Sequence, residues 1–355
     1  MILTCLIIAS VWPEPKASAA GRRMMELIHA LRKKGLKIYF QCPAQVSDLS
    51  EDLKALGIEC SQWPINDSSV DVHLKAIDPD LVIFDRFLVE EQWGWRIKDV
   101  CPYAIRVLNT EDLHSLRNSR QQAHKNKREW SPEHWRADES LWRELGAILR
   151  CDQTWIISNY ELAALKAMGI PESLLVHLPI HSQTRIDGPS FHQRKHVMTI
   201  GNFKHAPNRD AVEWMVELWP KVREYCPELE FHVYGAYLDQ KIKQLHQPKL
   251  GIHIMGWCED VHSCMQKYRL VLAPLRFGAG QKGKILEAME CQTPFLSTAL
   301  GLESMLALEQ KNGLVGNGDW PATIQKFVGD EDSWLSLKNQ QQQGFKANFF
   351  QSNAL

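Results

Sequence analysis

The sequence predicts an α/β protein built from two parallel-sheet domains of similar size. Short apolar segments with strand character alternate with helical segments along most of the chain. Such alternation is typical of a parallel sheet covered by helices on both faces. A polar segment with glycine and proline, residues 181–196, interrupts the alternation. The chain has 355 residues, 45% of them hydrophobic, which is enough to fill two cores.

The first domain is predicted over residues 1–185. Its expected strands are 2–9, 36–42, 81–85, 103–108 and 153–157. The helix after the first strand carries apolar residues at i, i+3, i+4 and i+7 from Met24, and Gly35 ends it. Ser158 and Glu161 have the spacing of a helix capping box. We therefore expect a Rossmann-like domain that begins at the first residues of the chain.

The second domain is predicted over residues 186–335. Its expected strands are 197–201, 229–234, 251–255, 269–273 and 294–297. A C-terminal helix at 336–355 could pack across the domain interface, and its glutamine run, 340–343, is expected on a solvated face. Open parallel sheets bind ligands at the carboxyl ends of their strands, so we expect the active site in a cleft between the two domains.

Composition excludes several classes of protein. A net charge of -1 gives no electrostatic reason to expect a nucleic-acid partner. The nine cysteines include no C-x-x-C pair, which argues against a zinc centre and a disulfide framework. The apolar start lacks the preceding positive charge of a secretory signal, and no segment approaches the ~18 apolar residues of a membrane span. These features predict a cytoplasmic protein without a bound metal.

The most informative segment is the glycine-lysine turn, residues 278–284, which follows an apolar strand and precedes a helix. It contains Gly278, Gly280, Lys282, Gly283 and Lys284. Glycines allow backbone N–H groups to approach an anion closely, and the helix N-terminus adds about half a positive charge. Two lysines supply full charges. The turn therefore predicts a phosphate-binding site.

Two general phosphate motifs fit this turn in part. Gly278, Gly280 and Gly283 match the dinucleotide pattern G-x-G-x-x-G, and Glu303 lies where a ribose-binding acid is expected. A dinucleotide fingerprint, however, usually follows the first strand of its domain, whereas this turn follows the fourth. The Walker A pattern fails because Ile285 cannot supply the hydroxyl that binds magnesium.

The second half of the chain resembles the GT4 family of retaining glycosyltransferases with the GT-B fold. Six segments carry the resemblance: 201–212, 234–235, 256–260, 274–288, 294–298 and 301–303. In the first domain, Asp85-Arg86 and the segment 109–117 also fit the family. The resemblance implies a GT-B enzyme, hexosyltransferase-like, that moves a sugar from a nucleotide diphosphate-sugar to an acceptor with retention of configuration. The nucleotide sugar is a co-substrate, and no cofactor is expected.

The resemblance also assigns donor-binding residues. Lys282 and Lys284 would contact the diphosphate, with Lys282 also catalytic, and Glu287 would bind the ribose hydroxyls. The departing nucleoside diphosphate accumulates negative charge, which such cations stabilise. The alternative for Glu287 is a surface ion pair with Lys284. The other predicted donor residues are Arg276, Gly278, Gly280, Asn202, His205 and Gly21.

On the acceptor side, two carboxylates and an imidazole occur within four residues, at Glu111, Asp112 and His114. We predict catalytic roles for His114 and Asp112, which can orient hydroxyls or move protons. The alternative is that Asp112 caps the following helix and His114 packs on it. The other predicted acceptor-side residues are Asp85, Arg86, Glu111 and Arg117. A carbohydrate, lipid-linked or small-molecule acceptor fits this reading, with peripheral membrane contact as a further option.

Three positions depart from the family pattern. Ala279 stands where the family commonly has a glutamate, and Gln292 and Ser304 stand where it commonly has glycine. These departures are compatible with a second possible function, in which the chain binds a nucleotide sugar on the same fold without catalysis. The third possible function is that of an NAD(P)-dependent oxidoreductase.

Overall fold

The computed structural model describes residues 3–182, 186–305, 313–316 and 319–350. The first residue of the predicted first strand, Ile2, lies outside this part, as do the predicted domain boundary at Arg185 and residues 351–355 of the predicted C-terminal helix. The chain divides into two compact units. The first comprises residues 1–15, 20–179 and 279–281, and the second comprises 16–19, 180–278 and 282–355.

The first unit is built on a seven-stranded parallel sheet with the order β3-β2-β1-β4-β5-β6-β7. Its strands are β1 Thr4–Ile8, β2 Lys37–Gln41, β3 Glu59–Ser61, β4 Leu81–Asp85, β5 Ile105–Asn109, β6 Gln153–Ile156 and β7 Leu175–His177. Its helices are α1 Ala19–Lys33, α2 Val70–Ile77, α3 Phe87–Val100, α4 His114–Lys125, α5 Pro132–Arg136, α6 Glu139–Arg150 and α7 Asn159–Ala167.

Burial of both sheet faces explains the apolar strands of this unit. Cys5, Leu6, Ile7 and Ile8 of β1 are fully buried, as expected for a central parallel strand. The predicted cap of α7 forms at Ser158, whose hydroxyl accepts a hydrogen bond from the Glu161 N–H at 3.1 Å. The Glu161 carboxylate also accepts from the Leu113 N–H.

The second unit is built on a five-stranded parallel sheet with the order β10-β9-β8-β11-β12. Its strands are β8 Lys195–Asn202, β9 Phe231–Ala236, β10 Ile252–Gly256, β11 Tyr268–Ala273 and β12 Phe295–Ser297. Its helices are α8 Ala206–Tyr225, α9 Gln240–Lys243, α10 Val261–Met265, α11 Gly283–Glu290, α12 Ala299–Leu302, α13 Trp320–Gly329 and α14 Glu331–Asn348. The sheet confirms that the glycine-lysine turn follows the fourth strand of this domain.

All ten predicted strands are present in the structure, with ends shifted by a few residues. The two strands that the sequence did not predict, β3 and β7, are three-residue edge strands. Such short segments carry too little alternation to indicate a strand. The units divide at Pro179 and Ile180, whereas the sequence places the domain boundary at 185/186.

The glutamine run of α14 is partly buried, so the expected solvated face is wrong for two of its members. Gln341 is 2% exposed and Gln342 is 8% exposed. The Gln341 side chain accepts a hydrogen bond from the Phe295 N–H at 3.1 Å and donates to the Phe295 carbonyl at 2.9 Å. It thereby satisfies the backbone of β12 at Phe295, while Ser297 of the same strand pairs with Leu314. Sequence periodicity does not reveal this because the side chain is polar.

No helix in the described ranges is both long enough and apolar enough to cross a membrane.

Gln341→Ala is expected to lower the free energy of unfolding by about 1–3 kcal/mol, because it leaves a buried N–H and a buried carbonyl of β12 without partners. Denaturant unfolding measures the change. Gln343→Ala is the matched control, since this glutamine of the same run is exposed, and its effect should stay within about 0.5 kcal/mol. Equal effects of the two substitutions would contradict the proposed role of Gln341.

Candidate active site

The strand order of the second sheet defines where a ligand would bind. The chain leaves β8 toward β9 and β10 on one side, whereas β11 and β12 lie on the other side. Parallel sheets bind ligands beside such a switch point, at the carboxyl ends of the strands. The loops that follow β8 and β11 flank this point. They carry Asn202 and His205 in one case and the glycine-lysine turn in the other.

The glycine-lysine turn has a backbone that requires glycine. Gly278 has φ +149° and Gly280 has φ +67°, a region that other residues rarely adopt. Helix α11 starts at Gly283, with Lys282 at its N-cap and no acidic residue in its first turn. Its first N–H groups are therefore directed toward the turn, where they can bind an anion. Lys282 is 9% exposed.

Lys284 lies in the first turn of α11 and is partly buried. Its Nζ donates a hydrogen bond to Asn208 Oδ1 at 2.9 Å. Burial lowers the pKa of Lys284 to about 8, while the Glu287 carboxylate opposes this shift. Asn208 is a neutral partner, so the hydrogen bond leaves the positive charge of Lys284 available to a phosphate.

Asn208 connects the two loops at the switch point. Its Nδ2 donates to the Asn202 carbonyl at 2.9 Å, while its Oδ1 accepts from Lys284. The Asn202 side chain in turn accepts from the Lys204 N–H at 2.9 Å. His205 is exposed and precedes α8 directly. The sequence motif included Asn208, but the spacing alone gave no reason to assign it a role in the site.

Arg276 is engaged by a carboxylate in this structure. Its Nε and Nη2 donate to the two oxygens of Asp210 at 2.9 Å and 2.6 Å, and its guanidinium lies 5.1 Å from the Trp214 ring centroid. A two-pronged ion pair of this kind fixes a loop in place. It therefore holds the loop after β11 against α8, and the direct donor contact of Arg276 stays a prediction.

Two of the three departures from the family pattern lie at left-handed backbone positions. Gln292 has φ +51° and Ser304 has φ +67°. This explains in conformational terms why glycine is common there. The Gln292 side chain donates to the Ile186 carbonyl at 3.2 Å and to Asp187 Oδ1 at 2.8 Å, which helps to hold its backbone. The departures at Gln292 and Ser304 thus concern backbone conformation.

In the first unit, a buried polar network joins the carboxyl ends of β4 and β5. Arg23 Nη1 donates to Asn109 Oδ1 at 2.6 Å and to Glu111 Oε1 at 2.7 Å. Asn109 Nδ2 donates to Asp85 Oδ1 at 3.2 Å. Burial raises the pKa of Asp85, against the effect of the nearby Arg86 charge. Arg23 was not predicted, because a single arginine on an amphipathic helix gives no sign of its tertiary partners.

Two residues of this network have strained backbones. Arg86 has φ +77° and ψ +156°, a region otherwise occupied almost only by glycine, and Glu111 has φ +60°. The Arg86 N–H donates to the Asn109 carbonyl at 2.8 Å, which helps to hold this conformation. Strain of this kind concentrates at functional sites, and both residues belong to the predicted acceptor side.

Asp112, His114 and Arg117 lie together at the start of α4. Asp112 forms an ion pair with Arg117, and His114 Nε2 lies 3.6 Å from Asp112 Oδ1. Burial would raise the pKa of Asp112, but the charges of Arg117 and His114 outweigh it and lower the pKa. Asp112 is therefore an anion at neutral pH and suits orientation of a charge or a hydroxyl better than donation of a proton.

The alternative in which Asp112 caps α4 is wrong. The N-cap of α4 is Leu113, and the acceptor for its first N–H groups is Glu144 of α6. Glu144 accepts from the His114 N–H at 2.9 Å, from the Ser115 N–H at 3.1 Å and from the Ser115 hydroxyl at 2.6 Å. Burial raises the pKa of Glu144 to about 7, against the effect of these hydrogen bonds. Glu144 thus positions the helix turn that carries His114.

The glycine at position 21 has a packing explanation. A Cβ atom built on Gly21 would lie 2.4 Å from the Glu14 carbonyl oxygen, so no larger residue fits while that loop keeps its place. A donor-binding role for Gly21 stays a prediction.

Comparison with known families identifies the second unit. Residues 194–329 match the family model described as Glycosyl transferases group 1. This match confirms the resemblance that the sequence of the second half predicts. A search of curated proteins found no significant sequence match.

Solved structures confirm the GT-B fold. HepE from Anabaena, in complex with UDP and glucose, has a TM-score of 0.73 at 15% identity, with 98% of this chain and 96% of HepE covered. Sucrose-phosphate synthase from Thermosynechococcus elongatus has a TM-score of 0.71 at 15% identity, with 98% and 95% covered. TarM from S. aureus, a G117R mutant in complex with fondaparinux, alpha-GlcNAc-glycerol and UDP, has a TM-score of 0.63 at 15% identity. The alignment covers 79% of this chain and 55% of TarM, so the chain spans about half the length of TarM.

Glu144→Ala is expected to lower the free energy of unfolding by about 1–3 kcal/mol, because two backbone N–H groups of α4 lose their acceptor. Denaturant unfolding measures this change, and Glu139→Ala, an exposed residue of the same helix, is the control.

The raised pKa of Glu144 also predicts a pH effect on stability. Between pH 4.5, the ordinary pKa of a glutamate, and about pH 7, Glu144 in the folded protein keeps the proton that the unfolded chain has lost. The contribution of this group to stability therefore falls as pH rises through that window and is constant above it. Glu144→Gln should show a smaller fall than the wild type in unfolding free energy from pH 5 to pH 7. An identical pH profile would contradict the raised pKa.

Proposed function

We propose that the chain, whose second unit is a glycosyl transferases group 1 domain, transfers a sugar from a nucleotide diphosphate-sugar to a carbohydrate, lipid-linked or small-molecule acceptor. The observation that carries the proposal is the phosphate site at the switch point of the second sheet. There a turn with positive-φ glycines, the N-terminus of α11 and two lysines converge. The first unit contributes the acceptor-side residues of the proposal.

The proposed chemistry is electrostatic. When the bond from the sugar to the diphosphate breaks, negative charge grows on the leaving phosphate oxygens. Lys282, Lys284 and the N–H groups of α11 stabilise this charge more in the transition state than in the ground state. In this proposal the lysines do what a divalent cation does in other transferases, and the reaction needs no metal. Glu287, one turn further along α11, holds the ribose hydroxyls, and the anomeric configuration is retained, as the family resemblance implies.

UDP is the first nucleotide to test. HepE has solved structures with UDP and with UDP-glucose, and TarM has one with UDP. A UDP-sugar is therefore our proposed donor, with glucose as the first sugar.

On the acceptor side, we propose that Asp112 and His114 orient the attacking hydroxyl. Asp112 is ionised and lies beside the His114 ring, so its carboxylate can accept a hydrogen bond from the attacking hydroxyl. The charged groups of Asp85, Arg86, Glu111 and Arg117 surround the same strand ends and would recognise a polar acceptor such as a sugar. Their hydrogen-bonded network keeps the site rigid.

Loss of both lysines is expected to weaken UDP binding by at least about 100-fold, because each charged contact to phosphate contributes about 1.5–3 kcal/mol and two contacts are lost. Calorimetric titration of the Lys282→Ala, Lys284→Ala double variant measures this. The control is Lys221→Ala, an exposed lysine of the same unit, which should bind UDP as the wild type does. Full affinity in the double variant would remove both lysines from the site.

The same titrations separate the alternative functions. Binding of UDP without transfer or hydrolysis from any nucleotide sugar would support the non-catalytic binding protein. Stabilisation by NAD and by no nucleoside diphosphate would support the oxidoreductase and contradict the glycosyltransferase proposal.

The lowered pKa of Lys284 predicts a pH dependence of nucleotide affinity. Below about pH 8 the free protein already carries the ammonium that the phosphate requires, and above it binding must take up a proton. The dissociation constant for UDP should therefore rise by up to tenfold per pH unit above about 8. Lys284→Arg stays charged and should show a flatter profile up to pH 10. A wild-type profile that is flat from pH 7 to pH 10 would contradict this role of Lys284.

A further inference from the structure

We propose that the second unit contains a binding site for a divalent transition metal of the zinc class, formed by Glu230, His232 and His253. These residues lie at the amino-terminal ends of β9 and β10. The donor loops follow the carboxyl ends of β8 and β11. The two sites therefore lie at opposite ends of the strands of the same sheet. The proposed metal site is independent of the proposed glycosyl transfer.

The register of the sheet brings the ligands together. His232 and His253 are direct partners in the pairing of β9 with β10, and Glu230 precedes β9. One ligand atom from each of the three residues lies within 4.8 Å of the others. His232 Nε2 is 2.8 Å from Glu230 Oε2, and His253 Nε2 is 3.8 Å from Glu230 Oε1. Ligands about 2.0–2.1 Å from a tetrahedral zinc ion are about 3.4 Å apart, so small side-chain shifts suffice.

The surroundings of the cluster resemble those of a metal site in two respects. The His232 Nδ1 atom lies 2.7 Å from the Tyr268 hydroxyl, which itself lies 2.8 Å from the Tyr234 hydroxyl. Hydrogen bonds of this kind to the second ring nitrogen orient a metal-binding histidine. The His253 Nε2 atom is buried and has no hydrogen-bond partner among the residues that the structure describes. A buried polar atom without a partner is costly, and a metal ion would satisfy it.

A fourth imidazole lies beside the cluster. His196 Nε2 is 3.4 Å from Glu230 Oε2, and its Nδ1 accepts a hydrogen bond from the Glu230 N–H at 3.3 Å. His196 has φ +54°, an unusual conformation for the start of a strand.

The donor set selects the class of metal. Two imidazole nitrogens and one carboxylate oxygen, with a further imidazole at hand, suit Zn²⁺, Co²⁺ or Ni²⁺. Mg²⁺ and Ca²⁺ require mainly oxygen ligands. Because β10 is an edge strand of this sheet, a bound ion would connect it to β9. We therefore expect the ion to stabilise the folded second unit.

The test is calorimetric titration of the full chain with ZnCl₂, after removal of metals by a chelator and of any affinity tag. We expect one Zn²⁺ per chain and a higher melting temperature with Zn²⁺ but not with Mg²⁺. Co²⁺ should give visible absorption bands typical of tetrahedral coordination. Absence of Zn²⁺ binding, or equal stabilisation by Mg²⁺, would overturn the proposal.

Variants locate the site. His253→Ala and Glu230→Gln should each weaken Zn²⁺ binding at least tenfold. Circular dichroism verifies that each variant is folded, and if one variant does not fold, the other still tests the site. The matched control is His262→Ala. His262 pairs with Glu290 at 2.8 Å, the same distance as in the His232–Glu230 pair, but this pair belongs to no three-residue group in the described part of the chain. Zn²⁺ binding that survives both cluster variants, or that is lost in His262→Ala, would contradict the assignment.

Discussion

The hydrogen bond between Lys284 and Asn208 connects the two loops on which the proposed donor site depends. A lysine at a helix N-terminus faces the positive end of the helix dipole, and burial makes its charge less favourable still. Asn208 holds this ammonium in place and at the same time fixes the carbonyl of Asn202. Because the partner is neutral, the positive potential of the site remains available for a diphosphate.

An ion pair supports this arrangement. Asp210 accepts two hydrogen bonds from Arg276 and so fixes the loop after β11. In the first unit, Arg23 forms an ion pair with Glu111 and donates a hydrogen bond to Asn109. These contacts help to hold the strained backbone at Arg86 and Glu111. In both units, residues outside the predicted contact set hold the predicted ones in position. Rigid support of this kind is what a site needs to stabilise charge that develops during a reaction.

Features that depend on neighbours in the chain could be predicted from the sequence. Strand periodicity placed ten strands, and the glycine spacing placed the turn before α11, because backbone conformation is a local property. Features that depend on tertiary contacts could not. Glu144 caps α4, which starts thirty residues earlier in the chain. Gln341 forms hydrogen bonds with the backbone of β12, and Arg276 forms an ion pair with Asp210. The cluster of Glu230, His232 and His253 likewise exists only because two parallel strands are in register.

A crystal structure of the chain with UDP would test the central claim most directly, since it shows where the diphosphate binds. We predict phosphate oxygens within hydrogen-bond distance of Lys284 Nζ and of the first N–H groups of α11, with the glycine-lysine turn around them. UDP bound away from residues 278–284, with both lysines distant from the phosphates, would contradict the account.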